Sequence, residues 1–208
     1  MPTATKQPPQ AASPTVKRVI LAVAAVLVVV VGYFVFKPIV NPSDPHGGDP
    51  ANNVPALSAV QTFSYVGNQH TSDPVTYEQT PPAGGPHDPV WENCGVYTQQ
   101  LRNENVVHSL EHGTVWVTYR PGLSSSDVQT LQTALGAVTD KKTILSPYPG
   151  QPSPVVVTVW NAQLDLKSAD DPRLATFIQF YGDGHTAPEA AMASCAGGKE
   201  IFASPDNP

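Results

Sequence analysis

Cationic charge is scarce in this chain of 208 residues. It holds 11 lysines and arginines against 17 acids, a formal net charge of −6, and no stretch of it forms a basic patch. Binding to nucleic acid depends on lysines and arginines that neutralise phosphates, so this composition argues against a nucleic-acid partner. No internal repeat is apparent.

Charge is absent altogether from Val19–Phe36, an apolar run of 18 residues. At 1.5 Å per residue a helix of this length spans about 27 Å, enough for the hydrocarbon layer of a bilayer. A cleaved signal peptide would have a shorter apolar core and end in small residues, whereas this run ends in Tyr33, Phe34 and Phe36. The run therefore predicts an uncleaved transmembrane anchor.

Cations on the two sides of the predicted anchor differ in number, and this difference predicts its orientation. Residues 1–18 hold Lys6, Lys17 and Arg18 and no acid, whereas only Lys37 closely follows the span. By the positive-inside rule the N-terminus stays in the cytoplasm and the larger part is exported across the plasma membrane. From Lys37 onward eight cations stand against seventeen acids, a formal charge of −9.

Cysteine is almost missing, with only Cys94 and Cys195. In an exported domain two cysteines favour one disulfide, which here would close a loop of about 100 residues. The alternative is a pair of thiols that bind a metal ion.

Composition divides the chain into four parts. Residues 1–18 are the predicted cytoplasmic tail and 19–36 the transmembrane helix. Residues 37–56 hold five prolines and no apolar periodicity, which is typical of an extended stalk. Residues 57–208 form the predicted extracytoplasmic domain, long enough for one hydrophobic core.

The domain has the patterns of short strands and three helices. Periodicity and capping residues predict helices at Glu104–His112, Ser124–Val138 and Pro172–Tyr181, the first ending at Gly113. β-branched and aromatic runs predict strands at residues 63–66, 95–99, 114–119, 143–145 and 155–160. This order predicts an α+β domain, a two-layer sandwich of the ferredoxin-like type with helices on one face of an antiparallel sheet.

The segment His108-Ser-Leu-Glu111-His112-Gly113 holds the most informative chemistry. Residues four apart lie on one face of a helix, so both imidazoles could meet one metal ion or one polar substrate. His-x-x-Glu-His is also the pattern of inverted zinc peptidases, which bind zinc through the histidines and use the glutamate as base. That mechanism needs a long helix and a third ligand, whereas Gly113 and a strand follow at once. A zinc-dependent hydrolase is therefore the third choice.

Transition-metal binding without catalysis is the leading hypothesis. His87, on the Gly-Pro-rich loop before Cys94, joins His108 and His112 as an expected ligand, with His185 and Glu111 in reserve. Imidazole suits zinc and copper, and Met192 or Cys195 would favour Cu(I). His46 in the stalk and His70 in a polar turn are expected to be solvated. The alternative is a non-catalytic cell-envelope scaffold, with structural histidines and another envelope protein as partner.

Three blocks of sequence carry a family resemblance over about residues 63–195. Pro81–His87, Gly95–Tyr97 and Val107–Gly113, followed by a strand ending in Tyr119-Arg120-Pro121, resemble the bacterial domain-of-unknown-function family 3105. Many relatives have Thr-Ser-Gly-Pro-His where this chain has Ala83-Gly84-Gly85-Pro86-His87, a difference that keeps the histidine. Members are typically small exported or membrane-anchored proteins, many of them actinobacterial. The resemblance implies lineage and export but no activity, substrate or cofactor.

Overall fold

The computed structural model describes residues 54–192 and 194–204. In chain order these form strands β1 and β2, helix α1, strand β3, helix α2, strands β4 to β6 and helix α3, with 3₁₀ turns at Pro55–Leu57 and Ala190–Met192. The bounds are β1 Gln61–Thr62, β2 Gly95–Val96, α1 Asn103–Glu111, β3 Val115–Tyr119, α2 Ser125–Gly136, β4 Thr143–Pro147, β5 Val155–Val159, β6 Ala162–Leu166 and α3 Arg173–Tyr181. The expected α+β class is confirmed.

Six strands form one mixed sheet in the order β1-β6-β5-β3-β4-β2. β4 lies parallel to β3 and to β2, and α2 is the crossover that a parallel β3–β4 pair requires. β5 is antiparallel to β3 and to β6, and β1 is antiparallel to β6. Asn161, at φ +65°, takes the left-handed conformation in the tight turn between β5 and β6.

Both faces of the sheet are covered by helices. Side chains of β3 alternate between the two faces and show which helices pack on each. Val115 and Val117 belong to a buried cluster with residues of α2 and α3, namely Leu131, Leu135, Leu174, Phe177 and Ile178. Trp116 belongs to the opposite cluster, with residues of α1, namely Val106, Val107 and Leu110. The sheet therefore separates α1 from the other two helices.

The predicted ferredoxin-like arrangement is wrong in two respects. The sheet is mixed rather than antiparallel, because β3 and β4 are joined directly by a helical crossover. Helices lie on both faces, because α1 packs on the face that carries Trp116. Sequence reasoning also missed β6, whose Gln163 looks like a surface residue. That amide is buried and donates to Pro81 O at 2.9 Å and to Thr158 Oγ1 at 2.9 Å.

The predicted helices are present within one or two residues of their expected bounds. Ser124 caps α2 as expected, accepting the N–H of Asp127 at 3.1 Å. Asn103 and Asn105 are of a residue type that favours the N-cap position, yet Arg102 is the N-cap residue of α1 and has no side-chain capping bond. Asn105 instead donates its amide to Val90 O at 2.6 Å. The strand predicted at residues 63–66 is absent, and β1 lies just before it.

The predicted tail, the span Val19–Phe36 and the stalk up to residue 53 lie outside the described residues. Within the described part, no helix is both long and apolar enough to cross a membrane. The predicted disulfide is present and joins Cys94 to Cys195, 101 residues apart.

Candidate functional site

Backbone pairing brings His70 beside His87. His87 N–H donates to Gln69 O at 2.9 Å, and Thr71 N–H donates to His87 O at 2.7 Å. This short parallel bridge leaves the two ring centroids 4.9 Å apart. A segment that reads as a polar turn in the sequence therefore contributes a histidine to the site.

The glycines before His87 have backbone conformations that L side chains rarely adopt. Gly84 has φ +146° and Gly85 has φ +112°, and a Cβ at Gly84 would lie 2.6 Å from the ring of Tyr65. The chain can turn sharply here only because both residues lack a side chain. The turn directs His87 into the protein, where it is fully buried.

Helix α1 supplies the other residues of the site. His108 and Glu111 are buried in its last turn, and His112 follows directly. His108 and His112 share one face as expected, with their Nε2 atoms 3.2 Å apart. The helix ends at Glu111, and the predicted stop residue Gly113 follows the C-cap residue His112. Gly113 has φ +79° and donates its N–H to Leu110 O at 2.8 Å.

Four side chains converge on one point: His70, His87, His108 and Glu111. Each offers one potential ligand atom, and these atoms all lie within 4.8 Å of one another. Three members are buried, and the side chain of His70 is 36% exposed. Three imidazole nitrogens and one carboxylate oxygen form a donor set that zinc and copper accept in proteins. This inner group could therefore hold a metal ion.

Backbone carbonyls fix the tautomers of two of these histidines. Nδ1 of His87 lies 2.8 Å from Gly85 O, and Nδ1 of His108 lies 2.6 Å from Asp88 O. A carbonyl accepts but cannot donate, so each Nδ1 carries a proton. In the neutral rings each Nε2 then offers a lone pair to the inner group. Metal-binding histidines are usually held by this second hydrogen bond.

The position of Asp88 is fixed in turn by Arg102. The guanidinium of Arg102 donates to Asp88 Oδ2 at 2.6 Å and lies 3.2 Å from Glu104 Oε2. Asp88 N–H donates to Glu104 O at 3.3 Å. This network attaches the loop that carries His87 to the first turn of α1.

Glu111 is fully buried, and its two oxygens have different surroundings. Oε1 accepts the N–H of Asn68, and a Cβ at Gly67 would lie 2.6 Å from it. Oε2 lies 2.9 Å from Nε2 of His87 and 3.9 Å from Nε2 of His70. Neither Oε2 of Glu111 nor Nε2 of His87 has a hydrogen-bond partner among the described residues.

Burial disfavours the charged form of the helix histidines. It lowers the pKa of His108 to about 4, an effect that the hydrogen bond to Asp88 O opposes and that the neighbouring His112, His87 and His70 strengthen. Burial also lowers the pKa of His112, against the attraction of Glu189 and Glu111. Neutral imidazole is the form that binds metal ions.

His112 adjoins the inner group without belonging to it. Its Nε2 lies 3.2 Å from Nε2 of His108 and 3.4 Å from Oε2 of Glu189. Its Nδ1 is buried and has no hydrogen-bond partner in the described part of the chain. The Trp91 ring covers both helix histidines, at centroid distances of 5.8 Å from His108 and 5.3 Å from His112.

His185, expected as a reserve ligand, lies apart from the inner group. Its Nδ1 pairs with Asp183, two residues earlier, and its ring stacks on Tyr181. Cys195 is committed to the disulfide, so it offers no thiolate. His46 and the side chain of Met192 lie outside the described part.

His70 is the residue that sequence reasoning missed. No spacing signal links it to α1, because the bridge between residues 69–71 and His87 is made by backbone atoms alone. Glu189 was missed as well. Its backbone bond to Glu111 O, 3.1 Å long, brings it beside His112.

Comparison with known proteins identifies a family and no characterised relative. A search of the curated proteins found no match, and neither did a search of the solved structures. One family model, described as a protein of unknown function (DUF3105), matches residues 69–197, more than half of the chain. The matched region contains all four residues of the inner group and both cysteines of the disulfide. The chain therefore belongs to the DUF3105 family.

Proposed function

We propose that this protein binds and handles a transition-metal ion, Zn(II) or Cu(II), at His70, His87, His108 and Glu111. One observation carries the proposal. Nε2 of His87 and Oε2 of Glu111 face each other at 2.9 Å, both buried and both without a hydrogen bond.

Two acceptors at this distance repel each other unless a cation lies between or beside them. Nδ1–H of His87 donates to Gly85 O, so Nε2 presents a lone pair whenever the ring carries a single proton. Glu111 adds a buried negative charge, and its ion-pair partners among the described residues are histidines alone. A buried carboxylate needs a compensating positive charge, which a second proton on His87 or a bound metal ion supplies.

The spacing of the donors supports one ion. Ligands about 2.0–2.1 Å from a tetrahedral zinc ion lie roughly 3.3–3.5 Å from one another. The inner group contains distances of 2.9 Å and 3.9 Å, and none of its ligand atoms is more than 4.8 Å from another. Small side-chain rotations would bring all four within reach of a common centre, and the partly exposed His70 is the member with most freedom.

The donor chemistry favours Zn(II) or Cu(II) over Cu(I). Three imidazoles and a carboxylate are borderline and hard donors, whereas Cu(I) prefers thiolates and thioethers. The cysteine that would have favoured Cu(I) is oxidised to a disulfide.

We further propose that Val19–Phe36 anchors the protein in the plasma membrane, with the N-terminus in the cytoplasm and the described domain outside. The charge-free run and the cations before it support this topology. The disulfide also supports it, because such bonds persist in oxidising compartments. Labelling of a single engineered cysteine on whole cells tests this. A site in residues 1–18 should be protected from an impermeant reagent, and labelling there would refute the orientation.

Metal titration tests the main proposal. The full-length chain, purified in detergent without a histidine tag, is titrated with Zn(II) and Cu(II) against a chromophoric chelator. We expect one ion per chain with a Kd below about 1 μM, and His87→Ala should weaken binding by at least about 100-fold. His185→Ala, outside the inner group, is the matched control and should bind like the wild type. Wild-type binding weaker than about 10 μM would refute the proposal.

A further inference from the structure

We propose that His112 and Glu189 form, together with His108, an outer position that the metal ion occupies briefly on its way into and out of the inner group. This inference rests on the proposed function and concerns the route of the same ion. Its basis is that Nε2 of His108 adjoins both sets of donors.

The outer position has the spacing of ligands around one ion. Nε2 of His112 lies 3.2 Å from Nε2 of His108 and 3.4 Å from Oε2 of Glu189. Neighbouring ligands of a tetrahedral zinc ion lie roughly 3.3–3.5 Å apart, and two histidines with one glutamate is a known zinc donor set. The glutamate side chain is 27% exposed, so water can complete the coordination there.

The chain holds these donors in place by contacts at the end of α1. Glu189 N–H donates to Glu111 O at 3.1 Å. The Lys142 ammonium donates to His112 O at 2.7 Å and to Ala190 O at 3.3 Å, joining the helix end to the loop that carries Glu189. Backbone and side-chain hydrogen bonds therefore hold the donors of the outer position in place.

Tautomer chemistry explains why the outer position is transient. His87 and His108 each donate Nδ1–H to a carbonyl, which leaves Nε2 as the atom that binds the ion. In the metal-free chain Nε2 of His108 accepts the Nε2–H of His112, a hydrogen bond that the ion replaces. Nδ1 of His112 has no such acceptor. Binding through Nε2 would leave His112 with a buried, unpaired Nδ1–H, at a cost of about 1–3 kcal/mol. His112 is therefore a weaker ligand than the two histidines of the inner group.

Transfer between the positions is a ligand exchange without change of oxidation state. The ion keeps its bond to Nε2 of His108. It gains bonds to Nε2 of His112 and Oε2 of Glu189 as it loses those to His70, His87 and Glu111. Binding through Nε2 of His112 would release its proton to solvent, and the ring would take one up at Nδ1 to stay neutral. The reverse sequence loads the inner group.

A residue of the outer position should change the rates of metal loading and release without changing the affinity for the ion. This difference is the test. Stopped-flow mixing of the full-length chain with Zn(II), and of the loaded chain with excess chelator, gives the loading and release rates. His112→Ala should slow both by about tenfold while Kd stays within about threefold. Glu189→Gln should act in the same direction, and it provides a second test on a partly exposed side chain. His185→Ala, in the same loop, should leave both rates unchanged.

Two results would refute the transient role of the outer position and leave the proposed function intact. Unchanged rates in both variants would mean that the ion enters past the exposed His70 directly. A rise in Kd for His112→Ala as large as that for His87→Ala would make His112 a permanent ligand. Failure of the wild type to bind would instead refute the proposed function itself.

Discussion

Nε2 of His87 and Oε2 of Glu111 lie 2.9 Å apart, fully buried and without a hydrogen bond between them. The carbonyl of Gly85 accepts a hydrogen bond from Nδ1–H of His87, on the far side of the ring. The N–H of Asn68 donates to the other oxygen of Glu111. When the His87 ring carries only the proton on Nδ1, both atoms are acceptors that face each other. Such a pair is costly in the folded protein unless a cation relieves it.

Replacing the carboxylate should separate metal binding from stability. The amide of Glu111→Gln has the same shape, removes the buried charge and can donate a hydrogen bond to Nε2 of His87. We expect the metal-free variant to melt at or above the wild-type temperature while its affinity for Zn(II) falls by about 10–100-fold. Thermal melts and chelator competition measure the two effects. A metal-free variant that melts far below the wild type would mean that the carboxylate stabilises the fold.

The close approach of Gly67 to Glu111 predicts that a side chain at position 67 weakens metal binding. A Cβ at this position would lie 2.6 Å from Oε1 of Glu111 and 2.5 Å from Pro188 Cγ. Gly67→Ala should therefore displace the carboxylate and weaken metal binding by about tenfold or more. Gly136→Ala is the matched control, because a Cβ there meets no atom within 4 Å. Equal affinities in the two variants would contradict this prediction.

Stability of the metal-free protein should fall as the solution is acidified from about pH 6.5 to pH 4. Burial lowers the pKa of His108 from an ordinary 6.5 to about 4, and burial also lowers that of His112. In this range the unfolded chain takes up more protons at these rings than the folded chain, so unfolding is favoured. Urea denaturation at a series of pH values measures the trend. His108→Gln should make the fall in the free energy of unfolding with pH less steep. Equal slopes in the variant and the wild type would refute the role of the lowered pKa of His108.

The disulfide should stabilise the domain substantially. It joins residues 101 apart, and in the chain-entropy model a loop of this length contributes up to about 4–5 kcal/mol. Replacing Cys94 and Cys195 together with serine should lower the free energy of unfolding by up to that amount. Reductant should shift the wild type towards the double variant and leave the variant unchanged. A denaturation midpoint that neither change moves would contradict the prediction.

Local patterns in the sequence predicted the helices well but the sheet poorly. Periodicity and capping residues located α2, and Gly113 located the end of α1 to within two residues, because these signals act over short distances in the sequence. Strand order depends on contacts between distant residues. β6 escaped notice because Gln163 is polar yet buried, and its hydrogen bond to Pro81, 82 residues away, is invisible in the sequence.

The site was predictable to the extent that it follows helical spacing. His108, Glu111 and His112 share the end of one helix, so their proximity follows from residue number. His87 was expected from its glycine-rich turn, and it does adjoin the helix. The position of His70 could not be predicted, because it depends on a backbone bridge formed by a segment without periodicity. His185 was overvalued because it sits near a helix end, where its own Asp183 pairs with it.

The most direct test of the central claim is X-ray absorption spectroscopy of the full-length, tag-free chain loaded with one equivalent of Zn(II). We expect four light ligands at roughly 2.0–2.2 Å, with the outer-shell scattering of three imidazoles. His70→Ala should lower the imidazole count to two. A six-coordinate shell without imidazole scattering, or an imidazole count that His70→Ala leaves unchanged, would contradict the proposed ligand set.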